Sequence, residues 1–309
     1  MKKILSIWVA ITLLTSCVDK DKNGNILDTP TAGKIIIMVD EALRPLIDAE
    51  IRAFEGIYHN AHILVRYTSE GEAIDGLLRD SARLIVVTRR LVESEKNILL
   101  NQTIVPQQLT LAKDGIALIT NRQNPDSLMN LEDLSKILTG QISIVNGNAK
   151  KQSKALSQVV FDQRNSGIIR YLRDSLTSFE DLPEYCFAVN SNAAVVDYVS
   201  QNAHALGLID VSWISDRDDS TANSFLNSIR VMGVSRDSLF FQPYQAYMAQ
   251  ARYPLLRDVV MISREARSGL ASGFMAFVAS DKGQRIVLKA GLVPATMPIR
   301  IIEINHEPF

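Results

Sequence analysis

Residues 34–88, KIIIMVDEALRPLIDAEIRAFEGIYHNAHILVRYTSEGEAIDGLLRDSARLIVVT, alternate short apolar runs with segments of helical period. The runs at 34–39, 61–67 and 83–88 are almost continuously apolar, whereas the segments between them repeat apolar residues at helical spacing. Strands that are apolar throughout are typical of parallel sheets covered by helices on both faces. The stretch therefore predicts a βαβαβ unit and an α/β fold class with a mostly parallel sheet.

The alternation continues beyond this stretch. Apolar runs and helix-period segments follow each other to Asp210, and after a looser polar stretch at 215–227 they return up to residue 304. With 309 residues and 47% apolar side chains, the chain can bury two ordinary cores or one large one. It has no fixed-period repeat and no low-complexity tract, which argues against a solenoid.

The charge distribution argues against one large class of partner. The formal net charge is −1, with 33 Lys and Arg against 34 Asp and Glu, and the basic residues are scattered along the chain. Proteins that bind nucleic acid or an anionic membrane surface concentrate basic residues in a patch or stripe. No nucleic-acid partner is therefore expected.

The amino terminus has the layout of a secretory signal peptide. MKKILSIWVAITLLTSC (residues 1–17) begins with a basic segment, continues with an apolar run too short to cross a bilayer, and ends in small residues before Cys17. Its last four residues, LTSC, resemble the lipobox of bacterial lipoproteins. That resemblance implies cleavage after residue 16, lipidation of Cys17 and attachment to a membrane, facing the periplasm or the exterior. The alternative is an ordinary signal peptide with an incidental cysteine.

Known motifs for catalysis and metal binding are absent from the sequence or incomplete. DKDKNG (19–24) is spaced like the start of an EF-hand calcium loop, but Pro30 stands where the bidentate Glu is required. There is no G-x-S-x-G elbow, P-loop, dinucleotide fingerprint or H-E-x-x-H sequence. Ser166 has no base near it in sequence, and Cys186 is expected to be a buried hydrophobe. We expect no enzyme activity, no cofactor and no metal.

VVFDQRNSGIIRYL, residues 159–172, predicts a strand that turns into an amphipathic helix. Backbone N–H groups at a helix start are unpaired and lie at the positive end of the helix dipole, so a turn of Asn165, Ser166 and Gly167 can hold an anion. Asp162 lies shortly before the turn and would repel an anion. The turn is thus a candidate binding site with an unusual charge.

Several segments, in order, resemble the PstS-like phosphate-binding proteins of ABC importers. LTLAKDGIALITNRQNPDSLMNLEDLSKILTGQI (109–142) is similar to the family's central segment, in which a strand crosses between two lobes. The turn at 159–172 stands where the family has its phosphate turn, and YPLLRDVVMISRE (253–265) resembles the strand that returns to the first lobe. The chain is identified as a divergent lipoprotein member of this family, from about residue 34 to residue 304.

The resemblance implies an α/β, two-lobed type II periplasmic-binding-protein fold with two crossover segments and a ligand in the cleft between the lobes. This agrees with the general rule that ligands of open α/β sheets bind outside the carboxyl ends of the strands. The implied division is a signal peptide at 1–16, a lipid-anchored flexible tether at 17–32, a first lobe at 33–115 and 258–309, and a second lobe at 116–257.

The same resemblance places the ligand contacts. Ser166 and Gly167 match the Ser-Gly of the family's phosphate turn, and Asn165 replaces a glycine. Asp162 stands where the family's phosphate-binding arginine is expected, with Arg164 two residues later. The loops of the first lobe supply the remaining positions, which are Asp40, Glu41, Thr68, Ser69, Thr88 and Arg89.

Carboxylates at these positions change what the cleft can bind. Two unit charges about 4 Å apart interact by about 4 kcal/mol at an effective dielectric of 20, so an unpaired carboxylate would lower phosphate affinity. If Asp40 and Asp162 pair with Arg89 and Arg164, the cleft is polar and preorganised, and its ligand is a zwitterion, a cation or a differently protonated oxyanion. Alternatively, Asp40 and Glu41 are helix-capping groups that face solvent.

Two functions follow from these expectations. The first is a lipid-anchored extracytoplasmic solute-binding protein that captures a small anion, phosphate by family resemblance, and hands it to an ABC permease. The second is a sensor or surface-interaction protein that keeps the same fold with an altered, non-phosphate cleft.

Overall fold

The computed structural model of the chain describes residues 28–141, 156–177 and 181–298. The predicted signal peptide and Cys17 lie outside these residues, as does the strand-like segment at 299–304. Within the described ranges, no helix combines the length and the apolarity needed to cross a membrane.

The amino-terminal part of the fold is the predicted βαβαβ unit. Its elements are strand β1 (Gly33–Asp40), a 3-10 turn (Glu41–Leu43), helix α1 (Arg44–Ile57), β2 (Ala61–Thr68), α2 (Glu70–Leu78) and β3 (Leu84–Val87), followed by α3 (Glu93–Asn101). β1 pairs in parallel with both β2 and β3. Local signals set the helix starts, since Pro45 lies in the first turn of α1 and Ser69 forms a capping box with Glu72 at the start of α2.

The remaining elements follow strand β4 (Gln107–Asn121). They are β5 (Leu128–Asn130), α4 (Leu131–Leu138), β6 (Gln158–Phe161), α5 (Gly167–Ser175), β7 (Cys186–Ala188), α6 (Asn192–Gln201), β8 (Ala205–Asp210), α7 (Ser212–Ser215), α8 (Ser220–Ser228), β9 (Ile229–Val231), β10 (Gly233–Ser235) and α9 (Gln245–Ala249). Strand β11 (Leu256–Ser263), helices α10 (Leu270–Ala279) and α11 (Asp281–Lys289), and strand β12 (Val293–Pro294) complete the described fold.

Strands β4 and β11 connect two halves of one strand path, whose order is β2-β1-β3-β11-β4-β8-β6-β7. β4 pairs antiparallel with β11 as far as Gly115, and from Ile116 onward it pairs antiparallel with β8. We call the half that contains β1 the first lobe and the half that contains β8 the second lobe. The predicted α/β class and two-lobed architecture are confirmed.

Both faces of the first-lobe sheet are buried, as its continuous apolar strands predict. In β3, Leu84 and Val86 belong to the main core, whereas Ile85 and Val87 belong to a second apolar cluster. This division follows the period of two by which successive strand side chains point to opposite faces. The main core includes residues of both lobes and of the crossing strand β4, such as Ile119.

Residues 28–32, at the end of the predicted tether, are docked on the first lobe. Asp28 accepts a hydrogen bond from Leu270 N at 2.9 Å, at the start of α10, and its carboxylate lies 3.4 Å from Arg83. A Cβ added at Gly273 would lie 1.8 Å from the Pro30 carbonyl oxygen, so α10 needs a glycine where this segment crosses it. Residues 28–32 are therefore part of the folded lobe.

Candidate functional site

The candidate site lies where strand ends of the first lobe meet helix starts of the second. β1 ends at Asp40, β2 ends at Thr68, and Thr88 follows the end of β3. On the opposite side, α5 begins at Gly167 and α6 begins at Asn192. The strand ends form the usual ligand edge of an open α/β sheet, and the helix starts present unpaired N–H donors to it.

Asp40 connects the two lobes. Its side chain is fully buried; one carboxyl oxygen accepts a hydrogen bond from Gly167 N at 3.0 Å and the other accepts one from Ala42 N at 3.1 Å. Burial, together with the nearby carboxylates of Asp162 and Glu70, raises the pKa of Asp40 to about 8. An oxygen acceptor of the chain itself therefore occupies the amino end of α5, where an anion would bind.

The contact at Gly167 requires a glycine because the two lobes approach too closely for a side chain. An ideal Cβ at this position would lie 2.4 Å from Thr88 Oγ1 and 2.6 Å from Asp40 Oδ2. Separations this short are not tolerated between non-bonded heavy atoms, so any side chain would displace these groups. The cleft is closed at this point.

Glu41 makes the corresponding contact with α6. Its Oε2 accepts hydrogen bonds from Asn192 N at 3.0 Å and from Asn192 Nδ2 at 2.9 Å, and Arg44 lies 3.7 Å from its other oxygen. Burial raises the pKa of Glu41 above its ordinary value, and the hydrogen bonds from Asn192 partly oppose this. The alternative in which Asp40 and Glu41 face solvent is wrong, since both are buried against the second lobe.

Glu70 is a third buried carboxylate of the first lobe. Its Oε2 accepts hydrogen bonds from Thr88 N at 2.8 Å and Thr88 Oγ1 at 2.5 Å, and its Oε1 accepts one from Arg170 Nε, on α5, at 2.6 Å. Burial favours the neutral form, but Arg170 and the Thr88 donors outweigh it and hold the pKa of Glu70 below its ordinary value. Glu70 and Arg170 therefore form a charged pair between the lobes.

Arg257 lies at the crossing strands. From β11, its Nε donates to Asp114 Oδ2 on β4 at 2.8 Å, and its Nη2 donates to Asp210 Oδ2 at the end of β8 at 2.6 Å. The side chains of all three residues are no more than 1% exposed. The carboxylates of Asp114, Asp210 and Asp40 outweigh burial and raise the pKa of Arg257 above its ordinary value, so it stays charged. Nη1 has no hydrogen-bond partner within the described residues.

Some predicted site residues of the first lobe have local roles. Thr68 Oγ1 donates to the carbonyl of Ser69 at 3.1 Å, and the Ser69 hydroxyl caps α2. Arg89 forms a bidentate pair with Glu95, with distances of 2.7 and 2.8 Å. The pairing of Arg89 with Asp40 that was considered above is not formed, because the guanidinium group of Arg89 binds Glu95 on the adjoining helix and its Nε lies 3.9 Å from Glu70 Oε1.

In the predicted phosphate turn, Asp162 and Ser166 are buried, whereas Arg164 and Asn165 between them are exposed. Asp162 Oδ1 has no hydrogen-bond partner among the described residues, Oδ2 lies 3.5 Å from Asn192 Nδ2, and burial raises the pKa of Asp162 to about 6. Arg164 and Asn165 are exposed, so the expected Asp162–Arg164 pairing is wrong. Ser166 is buried and caps α5, and the arginine that reaches the cleft is Arg170, on the first turn of that helix.

The site residues predicted from the sequence did not include Glu70, Arg170 or the buried ion-pair group of Arg257, Asp114 and Asp210. A signal for these three residues was present, since Asp114, Asp210 and Arg257 are charged residues within or at the ends of strands that are mostly apolar. Lys, Glu, Arg and Asp are almost never fully buried unless they are paired. Within the part of the chain that the structure describes, no three His, Cys, Asp or Glu side chains are placed to hold a metal ion.

Two α/β lobes joined by two crossing strands, with a buried polar cleft between strand ends and helix starts, define a type II periplasmic-binding-protein fold. A family profile, the PBP superfamily domain, matches residues 27–282, and the chain belongs to this superfamily. A comparison with curated protein sequences finds no match.

Solved structures share the fold at low sequence identity. A substrate-binding protein assigned to phosphate ABC transport in Clostridium perfringens, solved with bound phosphate, is 22% identical, with a TM-score of 0.72 over 85% of this chain and 100% of that chain. An ABC-type phosphate transport receptor from Vibrio cholerae is 21% identical, with a TM-score of 0.62 over 85% and 100%. The CcmR regulatory domain from Synechocystis PCC6803, in complex with 2-PG, is 9% identical, with a TM-score of 0.52 over 79% and 95%. The predicted resemblance to PstS-like proteins is confirmed at the level of the fold.

Proposed function

We propose that the protein is an extracytoplasmic solute-binding protein of the ABC-importer type, anchored to the membrane by a lipid on Cys17. The superfamily, the two-lobed fold and the likeness to the phosphate-transport proteins of C. perfringens and V. cholerae support this assignment. In this proposal, residues 33–115 and 258–309, with residues 28–32 docked on them, form one lobe and residues 116–257 form the other. The lobes enclose a small solute that is delivered to an ABC permease.

Phosphate or a related small oxyanion is the proposed solute. The observation that carries this proposal is the buried amino end of α5, where the N–H of Gly167 donates to a carboxyl oxygen. A helix start that binds a carboxyl oxygen has the donor and the dipole direction that also bind a phosphate oxygen. The proposed contacts are Gly167, Ser166 and Thr88 from the predicted set, together with Arg170.

Asp40 must leave Gly167 before phosphate can bind there. A charged carboxylate about 4 Å from a phosphate charge would oppose binding by about 4 kcal/mol at an effective dielectric of 20. With a pKa of about 8, Asp40 is largely neutral at pH 7, and a neutral carboxyl group can donate its proton to a phosphate oxygen. Phosphate affinity is therefore expected to fall as the pH rises and Asp40 loses its proton.

Calorimetric titration with phosphate, and separately with sulfate, tests the assignment. The Arg170→Met variant is expected to bind phosphate about tenfold more weakly, because it removes the guanidinium group that is proposed to contact the anion; its side chain is 23% exposed, so the loss is expected below the roughly 2–5 kcal/mol that truncating one partner of a fully buried charge pair costs. Arg164→Met is the matched control, since Arg164 precedes the same helix but is exposed. If neither anion gives heat of binding, and native mass spectra of protein from its own host show no bound oxyanion, the phosphate assignment falls.

A second function, sensing or surface interaction without phosphate capture, is favoured by one observation. The helix-start N–H groups of Gly167 and Asn192 already bind Asp40 and Glu41 of the same chain. A protein of this class would give no heat with phosphate or sulfate in the same titration. Its native mass spectra would show either another solute or none.

A further inference from the structure

Three carboxyl groups of the first lobe occupy the anion-binding elements of the second lobe. Asp40 and Glu41 accept hydrogen bonds from the first N–H groups of α5 and α6, and Glu70 is paired with Arg170. The three acidic residues are no more than 5% exposed. Each partner is a type that binds small oxyanions, namely a helix start or a guanidinium group.

The lobes pack closely at Gly167, and Asp40 Oδ2 already occupies the N–H of this residue. Even a single added carbon would lie 2.4 Å from Thr88 Oγ1 and 2.9 Å from Glu70 Oε2. A phosphate or sulfate ion is far larger than one carbon atom and needs about 3 Å between its oxygens and each donor. An anion can therefore reach the N–H of Gly167 only after the lobes move apart.

The contacts also provide hydrogen-bond acceptors for helix-start N–H groups that are removed from water when the two lobes close. Buried N–H donors at helix starts are costly when they have no acceptor, and here the side chains of the opposite lobe supply the acceptors. In ordinary two-lobed binding proteins, a solute that contacts both lobes performs this bridging. Here the bridging oxygens are already part of the chain.

We propose that Asp40, Glu41 and Glu70 act as a built-in ligand that holds the two lobes closed without any solute, and that an incoming anion must displace Asp40. This inference goes beyond the proposed function, because it applies whether the protein captures phosphate, captures another solute or captures none. It identifies Asp40 as the group that competes with an external anion for the start of α5.

Amide hydrogen exchange at single-residue resolution tests the proposal on protein that native mass spectrometry shows to be free of small molecules. In the wild type, the amides of Gly167 and Asn192 are expected to exchange slowly without solute. Asp40→Ala is expected to lose protection at Gly167, and added formate is expected to restore it by filling the vacated position. Asp40→Asn keeps one oxygen acceptor for Gly167 N but turns an NH2 group toward Ala42 N, so it is expected to keep more protection at Gly167 than Asp40→Ala does.

Glu93→Ala provides the matched control, since Glu93 is an acidic residue in a surface ion pair with Lys96 and its side chain is 80% exposed. It is expected to leave exchange at Gly167 unchanged. Rapid exchange of Gly167 and Asn192 in the solute-free wild type would overturn the proposal, and so would unchanged protection in Asp40→Ala. If Asp40→Ala does not fold, the wild-type measurement decides alone. Failure of phosphate to bind in calorimetry would remove the proposed solute without affecting these exchange rates.

Discussion

Replacing Arg257 by Met should strongly destabilise the protein. The guanidinium group bridges the crossing strands to the second lobe, with Asp114 at 2.8 Å and Asp210 at 2.6 Å, and all three side chains are shielded from water. Methionine fills a similar volume without a charge, so the change removes the cation and leaves two buried carboxyl groups. The variant therefore isolates the electrostatic contribution of Arg257 from its packing.

The expected loss in the free energy of unfolding is about 3–5 kcal/mol, the usual cost of removing one partner of a buried ion pair. Total stabilities are of the order of 5–15 kcal/mol, so this loss is a large fraction. It should be greater at pH 8 than at pH 5, because carboxyl groups buried without a cation have folded-state pKa values above the unfolded value. Such groups lower the free energy of unfolding as the pH rises from the unfolded-state pKa to the folded-state pKa.

Urea denaturation followed by circular dichroism and by Trp213 fluorescence measures this loss. Trp213 is a suitable probe because its Nε1 donates to the carbonyl of Ala42 across the lobes at 2.8 Å. Arg285→Met is the control, since Arg285 forms an ion pair of 2.9 Å with Asp281 but both side chains are 71% exposed. Exposed pairs contribute only about 0–1 kcal/mol.

Adding Asp114→Asn and Asp210→Asn to the Arg257→Met variant should recover part of the lost stability, because the uncompensated charges are removed with their partner. The reasoning would be refuted if Arg257→Met lowered the free energy of unfolding no more than Arg285→Met does. It would also fail if the triple variant were less stable than Arg257→Met alone at pH 8.

Four further predictions follow from buried groups, close packing and the amino terminus. Glu50→Met should raise the free energy of unfolding by about 1–3 kcal/mol at pH 8 and by less at pH 5, as measured by urea denaturation. Both Glu50 carboxyl oxygens are buried without a partner among the described residues, and burial raises the pKa of Glu50 to about 9. Equal effects at both pH values would contradict this prediction. The free energy of unfolding of the wild type should fall between about pH 4 and pH 8, because Asp40 loses its proton at a lower pH in the unfolded chain than in the folded protein. Asp40→Asn should flatten this slope by about 1.4 kcal/mol per pH unit. An unchanged slope would show that folding does not raise the pKa of Asp40. Gly167→Ala should cost about 1–3 kcal/mol through overpacking, whereas Gly56→Ala, which has no atom within 4 Å of the added Cβ, should not destabilise in the same thermal melts. A fatty-acid probe should label the wild type in cells but not Cys17→Ala, and equal labelling would show that Cys17 carries no lipid.

Local patterns in the sequence were sufficient to predict the fold class. The apolar runs that became β1, β2 and β3 and the helical spacing between them depend on residues only a few positions apart. The start of α5 at Gly167, after the Ser166 cap, is equally local, because a capping side chain binds an N–H within the next turn. The lipid at Cys17 stays a prediction, since that residue lies outside the described chain.

The charge pairing of the cleft was decided only by tertiary structure. Asp40 and Gly167 are 127 residues apart and Arg257 and Asp114 are 143 apart, so no local pattern brings them together. Arg164 is nearest to Asp162 in sequence, yet it is exposed, whereas a residue of the following helix pairs with Glu70. The physical reason is that strand and helix formation depend on neighbours along the chain, whereas the partner of a buried charge depends on which groups the packed lobes remove from water together.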